Sequence, residues 1–289
     1  MPIVALVVLA TGVVWLQMVR EARFPPLAPA EQMLYVSSPK LITRLALSYK
    51  AVLSDVYWIR LVQYYGGTRL SRDPHKNYAL LYPLLDLTTS LDPQFSIAYR
   101  FGAFFLAEPL PGGAGRTDLA EALLDKAMAA NPTRWEYPHD VAFLYYRRGD
   151  YVRAADWFRR AAMVPDAPNW LEPVAAVMLA AGGRTDTSRM LWRNLLASTD
   201  QPWIRNVADF RLRQLDTIDA IRALERITAE YRRQHGRSPS RWSDLVSTGM
   251  LRGVPVDGGG VPLVLNPETG RVTLDERSPM RPLPMEQGR

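Results

Sequence analysis

The sequence predicts an all-α chain: a solenoid of helical hairpins, preceded by a transmembrane helix and followed by a small α/β appendage that carries a β-hairpin. Three observations predict it. Residues 2–19 carry no charge; small and aromatic residues recur about every 34 positions through the middle of the chain; and after Gly236 the pattern changes to Gly- and Pro-rich turns with short apolar runs. At 289 residues and 48% hydrophobic, the chain is long enough to bury a core. The formal charge of +6 comes from arginines dispersed among acids, which reads as a solvated basic exterior. Cysteine is absent, which excludes disulfides, thiolate chemistry and cysteine-based metal centres.

The predicted anchor covers residues 1–20. Between residues 2 and 19 only Thr11 and Gln17 are polar, and Arg20, Glu21 and Arg23 end the run. Such a helix is roughly 27 Å long, enough for a thin hydrocarbon core. No small-x-small site precedes Arg20, so an anchor is preferred to a cleaved signal peptide. Residues 21–44 then form a linker, with the extended spacer "FPPLAP". Counting Arg20 and Arg23 against a bare N-terminus leaves the bulk of the protein in the cytoplasm.

Residues 45–235 are read as the repeats. In a unit that starts at Trp135, Ala142, Tyr145, Gly149, Tyr151, Ala154, Phe158 and Ala161 take positions 8, 11, 15, 17, 20, 24 and 27, with Pro165 near 32. Small residues at 8 and 20 let two helices approach closely, the aromatic at 24 fills the gap to the next unit, and the glycine turns the chain. The preceding unit has Gly102, Phe105, Ala120, Leu124, Ala127 and Pro132 in these places, given a six-residue insertion around "PLPGGAG". The following unit has Ala176, Leu179, Gly183, Ser188, Trp192 and Leu195. This spacing resembles the tetratricopeptide repeat. Upstream, helices are expected around residues 46–65 and in "HKNYALLYPLLDLTTSLDP", with Leu81 and Leu85 at 20 and 24. Downstream, residues 203–215 and 216–234 are expected to form one more hairpin.

The stretch "SSPKLITRLALSYKAVLSDVYWIRLVQYYGG" with "LYPLLDLTTSLDPQFSIAYRFGAFFL" is similar to the start of a group of bacterial membrane-anchored tetratricopeptide proteins, in which an Asp-x-x-Trp-x-Arg-x-x-Gln-Tyr element precedes the repeats. Asp55, Trp58, Arg60, Gln63 and Tyr64 stand in those places. The resemblance implies an inner-membrane, single-pass protein with an extracytoplasmic soluble part and partners among transporter or pilus systems, and it implies no reaction.

Over residues 236–278, Ser240 is expected to cap a short helix that Gly249 stops, before "VPLVL" and "RVTL" pair across Asn266 to Gly270. This tail resembles the C-terminal part of type II secretion pseudopilins, with Gly236, Ser238, Pro239, Leu245, Pro255, Asp257 and Gly260 matching. Asp257 is read as a turn residue, with calcium binding through it and nearby carbonyls as the alternative. Residues 279–289 are expected to be a disordered tail.

No catalytic constellation stands out. His75, His139 and His235 lie far apart, and neither a phosphate loop nor a Gly-x-Ser-x-Gly elbow occurs. The chain is therefore expected to be no enzyme, with no cofactor, metal, nucleic acid or small-molecule substrate. Its expected role is a membrane-anchored scaffold that mediates protein–protein contacts in a bacterial envelope assembly, the alternative being a permanent structural subunit of a large membrane complex. The candidate partner-binding residues are Asp55, Trp58 and Arg60, with Arg147, Arg148 and Arg153 lining a groove for a peptide.

Overall fold

A computed structural model describes residues 11–16, 18–19 and 39–284. It is mostly helical with one two-stranded sheet. Contacts divide the chain into two compact units, Met1–Asn131 and Pro132–Arg289. The boundary falls inside the span predicted as one run of repeats, between the first and second of the three aligned units.

The first unit holds α1 (Pro39–Leu45), a 3-10 turn (Leu47–Tyr49), α2 (Lys50–Leu70), α3 (Leu81–Leu91), α4 (Ser96–Ala107) and α5 (Thr117–Ala130). Each of α2 to α5 packs on the next, and α1 packs on α3. Leu61, Leu81, Leu84, Leu85, Tyr99, Leu106, Leu123 and Leu124 are fully buried between them. Gly102 sets the spacing of α3, α4 and α5. A Cβ there would lie 2.2 Å from Leu85 Cδ2 and 3.1 Å from Leu123 Cδ2, which is why the helix tolerates a residue of poor helix propensity. Polar bonds reinforce the same packing: the Ser54 hydroxyl donates to the Thr88 carbonyl (2.9 Å), and Lys126 Nζ donates to Asp86 Oδ1 (2.6 Å), Thr89 Oγ1 (2.9 Å) and Ser90 Oγ (2.7 Å). The predicted insertion between α4 and α5 is a closed turn. Its backbone folds onto Phe105 and Leu106, and the hydroxyls of Tyr65 and Tyr78 donate to the carbonyls of Gly112 and Pro111 (3.0 and 2.9 Å).

The second unit holds α6 (Glu136–Arg147), α7 (Tyr151–Ala162), α8 (Leu171–Ala181), α9 (Thr185–Ser198), α10 (Pro202–His235), α11 (Trp242–Ser247), β1 (Val264–Leu265) and β2 (Val272–Thr273). Helices α6 to α10 pack in sequence order. The α6–α7 and α8–α9 hairpins share one turn, 34 residues apart. Gly149 and Gly183 both adopt positive φ (74° and 78°). In each, the glycine N–H bonds three residues back and the next N–H bonds five back, Asp150 to Tyr145 and Arg184 to Leu179, which satisfies the carbonyls at the helix end. The period extends into the core: Ala142 and Ala176, Ala154 and Ser188, Phe158 and Trp192, Ala161 and Leu195 are all buried. Ala120 and Ala127 of the first unit are fully buried as well.

Several expectations are corrected. Among the described residues no helix is long and apolar enough to cross a membrane, which overturns the predicted transmembrane anchor and with it the single-pass inner-membrane placement. The two longest helices fail for a physical reason. Asp55, Arg60, Gln63 and three tyrosines lower the hydropathy of α2, and α10 carries charges along its whole length. Of the anchor segment, residues 11–16 and 18–19 are helical, and residues 1–10, 17 and 20 lie outside the described residues, as does the "FPPLAP" spacer. The expected last hairpin is one continuous helix, α10, of 34 residues. Neither glycine nor proline follows Pro202 until Gly236, whose left-handed conformation (φ 70°) ends it.

The tail folds against α10. Gln214 Nε2 donates to the carbonyls of Met280 and Pro282 (2.7 and 3.0 Å), Thr217 Oγ1 accepts from the Gly258 N–H (2.9 Å), and the Thr228 hydroxyl donates to the Gly270 carbonyl (2.8 Å). Met280 and Leu283 are buried, so the expected disorder after Ser278 is wrong for residues 279–284, while residues 285–289 lie outside the described residues. Helix α11 is capped by Asp244, whose carboxylate accepts from the N–H groups of Ser240 and Arg241 (2.8 and 3.3 Å); the expected Ser240 side-chain cap is not used. The hairpin pairs as expected, Val264 with Thr273 and Leu265 with Val272.

Gly102→Ala is expected to destabilise the first unit by about 1–3 kcal/mol through overpacking against Leu85, seen as a lower urea midpoint at unchanged slope. Gln214→Ala removes the donor to the carbonyls of Met280, which is buried, and Pro282, and should raise amide exchange selectively in residues 278–284 when followed by hydrogen-exchange mass spectrometry.

Candidate functional site

The candidate partner-binding residues fall in different units. On α2, Asp55 is exposed, Trp58 is half-buried with its ring 5.8 Å from Phe95, and Arg60 is half-buried. Trp58 thus serves mainly to fix the start of α4 against α2. Tyr64 also turns inward: its hydroxyl donates to the Asn77 carbonyl (2.6 Å) and accepts from the Leu80 N–H (3.4 Å), and burial pushes its pKa up. The Asp-x-x-Trp-x-Arg-x-x-Gln-Tyr element therefore alternates between inward aromatic residues that brace the following segments and outward polar ones.

Arg147, Arg148 and Arg153 lie at the α6–α7 turn and are exposed. Two of them gather round one ring: the guanidinium carbons of Arg148 and Arg153 stand 5.7 and 5.6 Å from the centre of Tyr145. Asp150 fixes this turn, because its carboxylate accepts from the Arg153 N–H (3.1 Å) and lies 3.4 Å from Arg153 Nε. Two turns further along α7, Arg160 covers Trp157 at 4.4 Å. The rings of Phe143, Tyr146 and Tyr151 follow each other at 5.8 and 6.1 Å, so the surface is aromatic as well as cationic. From Arg147 to Arg160 there are five arginines and two aspartates, which leaves a net positive face. Cations held over rings keep their charge and lose little side-chain freedom when a carboxylate arrives.

Other polar clusters are drawn into packing or into local hydrogen bonds. His139 is wrapped by Trp135, Phe158 and Trp170 at 5.6–5.8 Å in edge-on contacts, and its Nδ1 lies 3.0 Å from Asp140 Oδ1. Among the described residues no group of three His, Asp or Glu could hold a metal ion. Asp257, the calcium alternative, has both oxygens engaged: Oδ1 accepts from the N–H groups of Gly259 and Val261 (2.8 and 2.9 Å), and Oδ2 accepts from the Ser278 hydroxyl. It is the knot of the tail's main turn.

An open cleft of about 710 Å³ lies between α9 and α10, lined by Asp186, Asp219, Arg222, Glu225 and Arg226. Arg189 beside it is shared between Asp216 and Asp219, so the acids there are largely matched. Two exposed pairs have depressed carboxyls: a forked hydrogen bond from Arg116 holds Asp118 at about 2, and one from Arg277 holds Asp275 at about 2. Arg211 on α10 is the opposite case, since burial pushes its guanidinium below the ordinary value.

Compared with known proteins, the chain matches no family model, no curated protein and no solved structure.

Because both carboxyls are depressed by a hydrogen-bonded arginine, their pairs are intact above the ordinary carboxyl value of 3.8 and open as the pH falls toward 2. Carboxyl titration by NMR should give values near 2 for Asp118 and Asp275, and Arg116→Ala should return Asp118 alone to the ordinary range.

Proposed function

We propose that the protein is an adaptor without chemistry of its own, built from helical hairpins of tetratricopeptide type, and that the α6–α7 hairpin receives an acidic segment of a partner polypeptide. The observation that carries this reading is the placement of Arg148 and Arg153 round Tyr145, with Arg160 on Trp157 beside them. Three features support it. The 34-residue period runs through turn and core alike, which makes the hairpins rigid mounts for side chains on their outer faces. Arg153 and Asp150 are fixed by the turn itself, so the cationic face is formed before a ligand arrives and its ordering costs little on binding. Arginine and tyrosine are also the residues that most often dominate binding energy at interfaces.

The test places a photo-reactive phenylalanine analogue at Tyr146, within this face, and another at Met190, exposed on α9. Irradiation in the native cell should give a defined adduct from position 146 that is absent from position 190. Arg148→Glu with Arg153→Glu should reduce its yield tenfold or more while circular dichroism stays unchanged. An adduct that survives both charge reversals, or no adduct specific to position 146, sinks the proposal.

A further inference from the structure

Helix α2 is buried along one side and bare along the other. Ser54, Tyr57, Leu61 and Tyr65 face the core. The opposite side exposes Val52 (58%), Val56 (38%), Ile59 (55%) and Leu70 (84%), with Gln63 exposed between them and Val62 (42%) exposed on the flank beside it. Residues 52, 56, 59, 63, 66 and 70 are separated by four, three, four, three and four, which is the alternation of a heptad seam, with Val52, Ile59 and Gly66 at d and Val56, Gln63 and Leu70 at a. An ordinary surface helix has no reason to repeat aliphatic residues on its solvent side at that spacing. Among the described residues nothing covers these aliphatic side chains.

The flanks of the seam state what covers it. Asp55 stands at g and Arg60 at the following e, five residues on. In a parallel pair of identical helices a g residue lies opposite the next e residue of the partner, so Asp55 of each copy meets Arg60 of the other, twice by symmetry. In an antiparallel pair g would face g and e would face e, setting Asp55 against Asp55 and Arg60 against Arg60. Asp55 has no partner among the described residues, while Arg60 already interacts within its own chain and has five N–H donors to share. Gln63 at an a position keeps the register, because a shift by one heptad would bury its amide against an aliphatic partner. Gly66 at d lets the two backbones come close.

We infer that α2 is a self-association element, and that the occupant of its bare face is α2 of a second copy of this chain in parallel register. The inference is independent of the adaptor reading, since it concerns the other unit and a different surface. The seam covers about three heptads, a small interface, so the dimer is weak, with a dissociation constant in the micromolar range.

The experiment uses the whole 289-residue chain in aqueous buffer, at about 5 and 100 µM, bracketing the constant expected for an interface of this size. Sedimentation equilibrium should show a monomer–dimer equilibrium. Asp55→Arg, which sets Arg against Arg60 of the partner copy, should weaken dimerisation tenfold or more; Arg60→Asp should do the same by setting acid against acid; and an equal mixture of the two variants should restore dimers, because the mixed pair regains both ion pairs. The native chain has no cysteine, so Val52→Cys, Val56→Cys and Gln63→Cys report the register directly. All three should form intermolecular disulfides under mild oxidation, and Ala51→Cys, off the seam, should not. A monomer at both concentrations overturns the inference. So does cross-linking at only one end or only the centre of the seam, which would mean an antiparallel pair, and so does a mixture of the charge variants that stays monomeric.

Discussion

The structure depends on helices that approach more closely than ordinary side chains allow. At Gly102 even one methyl group would sit inside the van der Waals radius of Leu85, and Ala120, Ala142, Ala154 and Ala176 are fully buried. Because the small residues sit where the axes come nearest, the large ones of the second unit, Phe158 and Trp192, reach toward the next element, where Phe158 packs in one core with Leu171 and Trp192 in another with Ile204 and Ala208. Each hairpin of the second unit is thus made self-consistent by its own seam and made dependent on the following element by its own aromatic residue.

A second constraint organises the end of the chain. Helix α10 has no breaker along its length, so it runs on as a rod of about 51 Å, and a rod cannot close a core by itself. The tail does this instead. Gln214, Thr217 and Thr228, polar residues buried along α10, supply hydrogen bonds to three separate points of residues 258–282, and Trp242 Nε1 donates to the Leu263 carbonyl (2.8 Å) from the other side. These groups would be costly to bury unpaired, so their positions fix where the tail crosses the helix.

How legible this was in the sequence can be judged residue by residue. Gly149 and Gly183 could be placed because only a residue tolerant of positive φ ends a helix in this way, and Ala142, Ala154, Phe158 and Trp192 because close packing leaves little choice of size. Helix α10 was misread as a hairpin because the repeat was extended past the point where its signals, a glycine turn and paired small residues, had stopped. The ordered stretch 279–284 was missed since Gln214 carries the signal from 66 residues away, and long-range hydrogen bonds leave no local pattern. The break at Leu47, a non-glycine residue with φ of 47°, which separates α1 from α2, also left no mark that periodicity could show. The role of Arg148 and Arg153 round Tyr145 was only half visible: their charge could be read, but not that they share a ring.

The most direct test of the close-packed seam uses its own internal repeat. In the α8–α9 hairpin the Ser188 hydroxyl donates to the Ala176 carbonyl (2.7 Å), and Ala154 and Ala142 hold the equivalent places 34 residues earlier. If the two hairpins are built alike, Ala154→Ser reproduces that bond to Ala142 and leaves the urea unfolding midpoint within a few tenths of a molar of the parent, while Ala154→Leu lowers stability by about 1–3 kcal/mol or more. A leucine variant as stable as the parent, or a serine variant as damaged as the leucine one, would show that the helices do not meet at this seam.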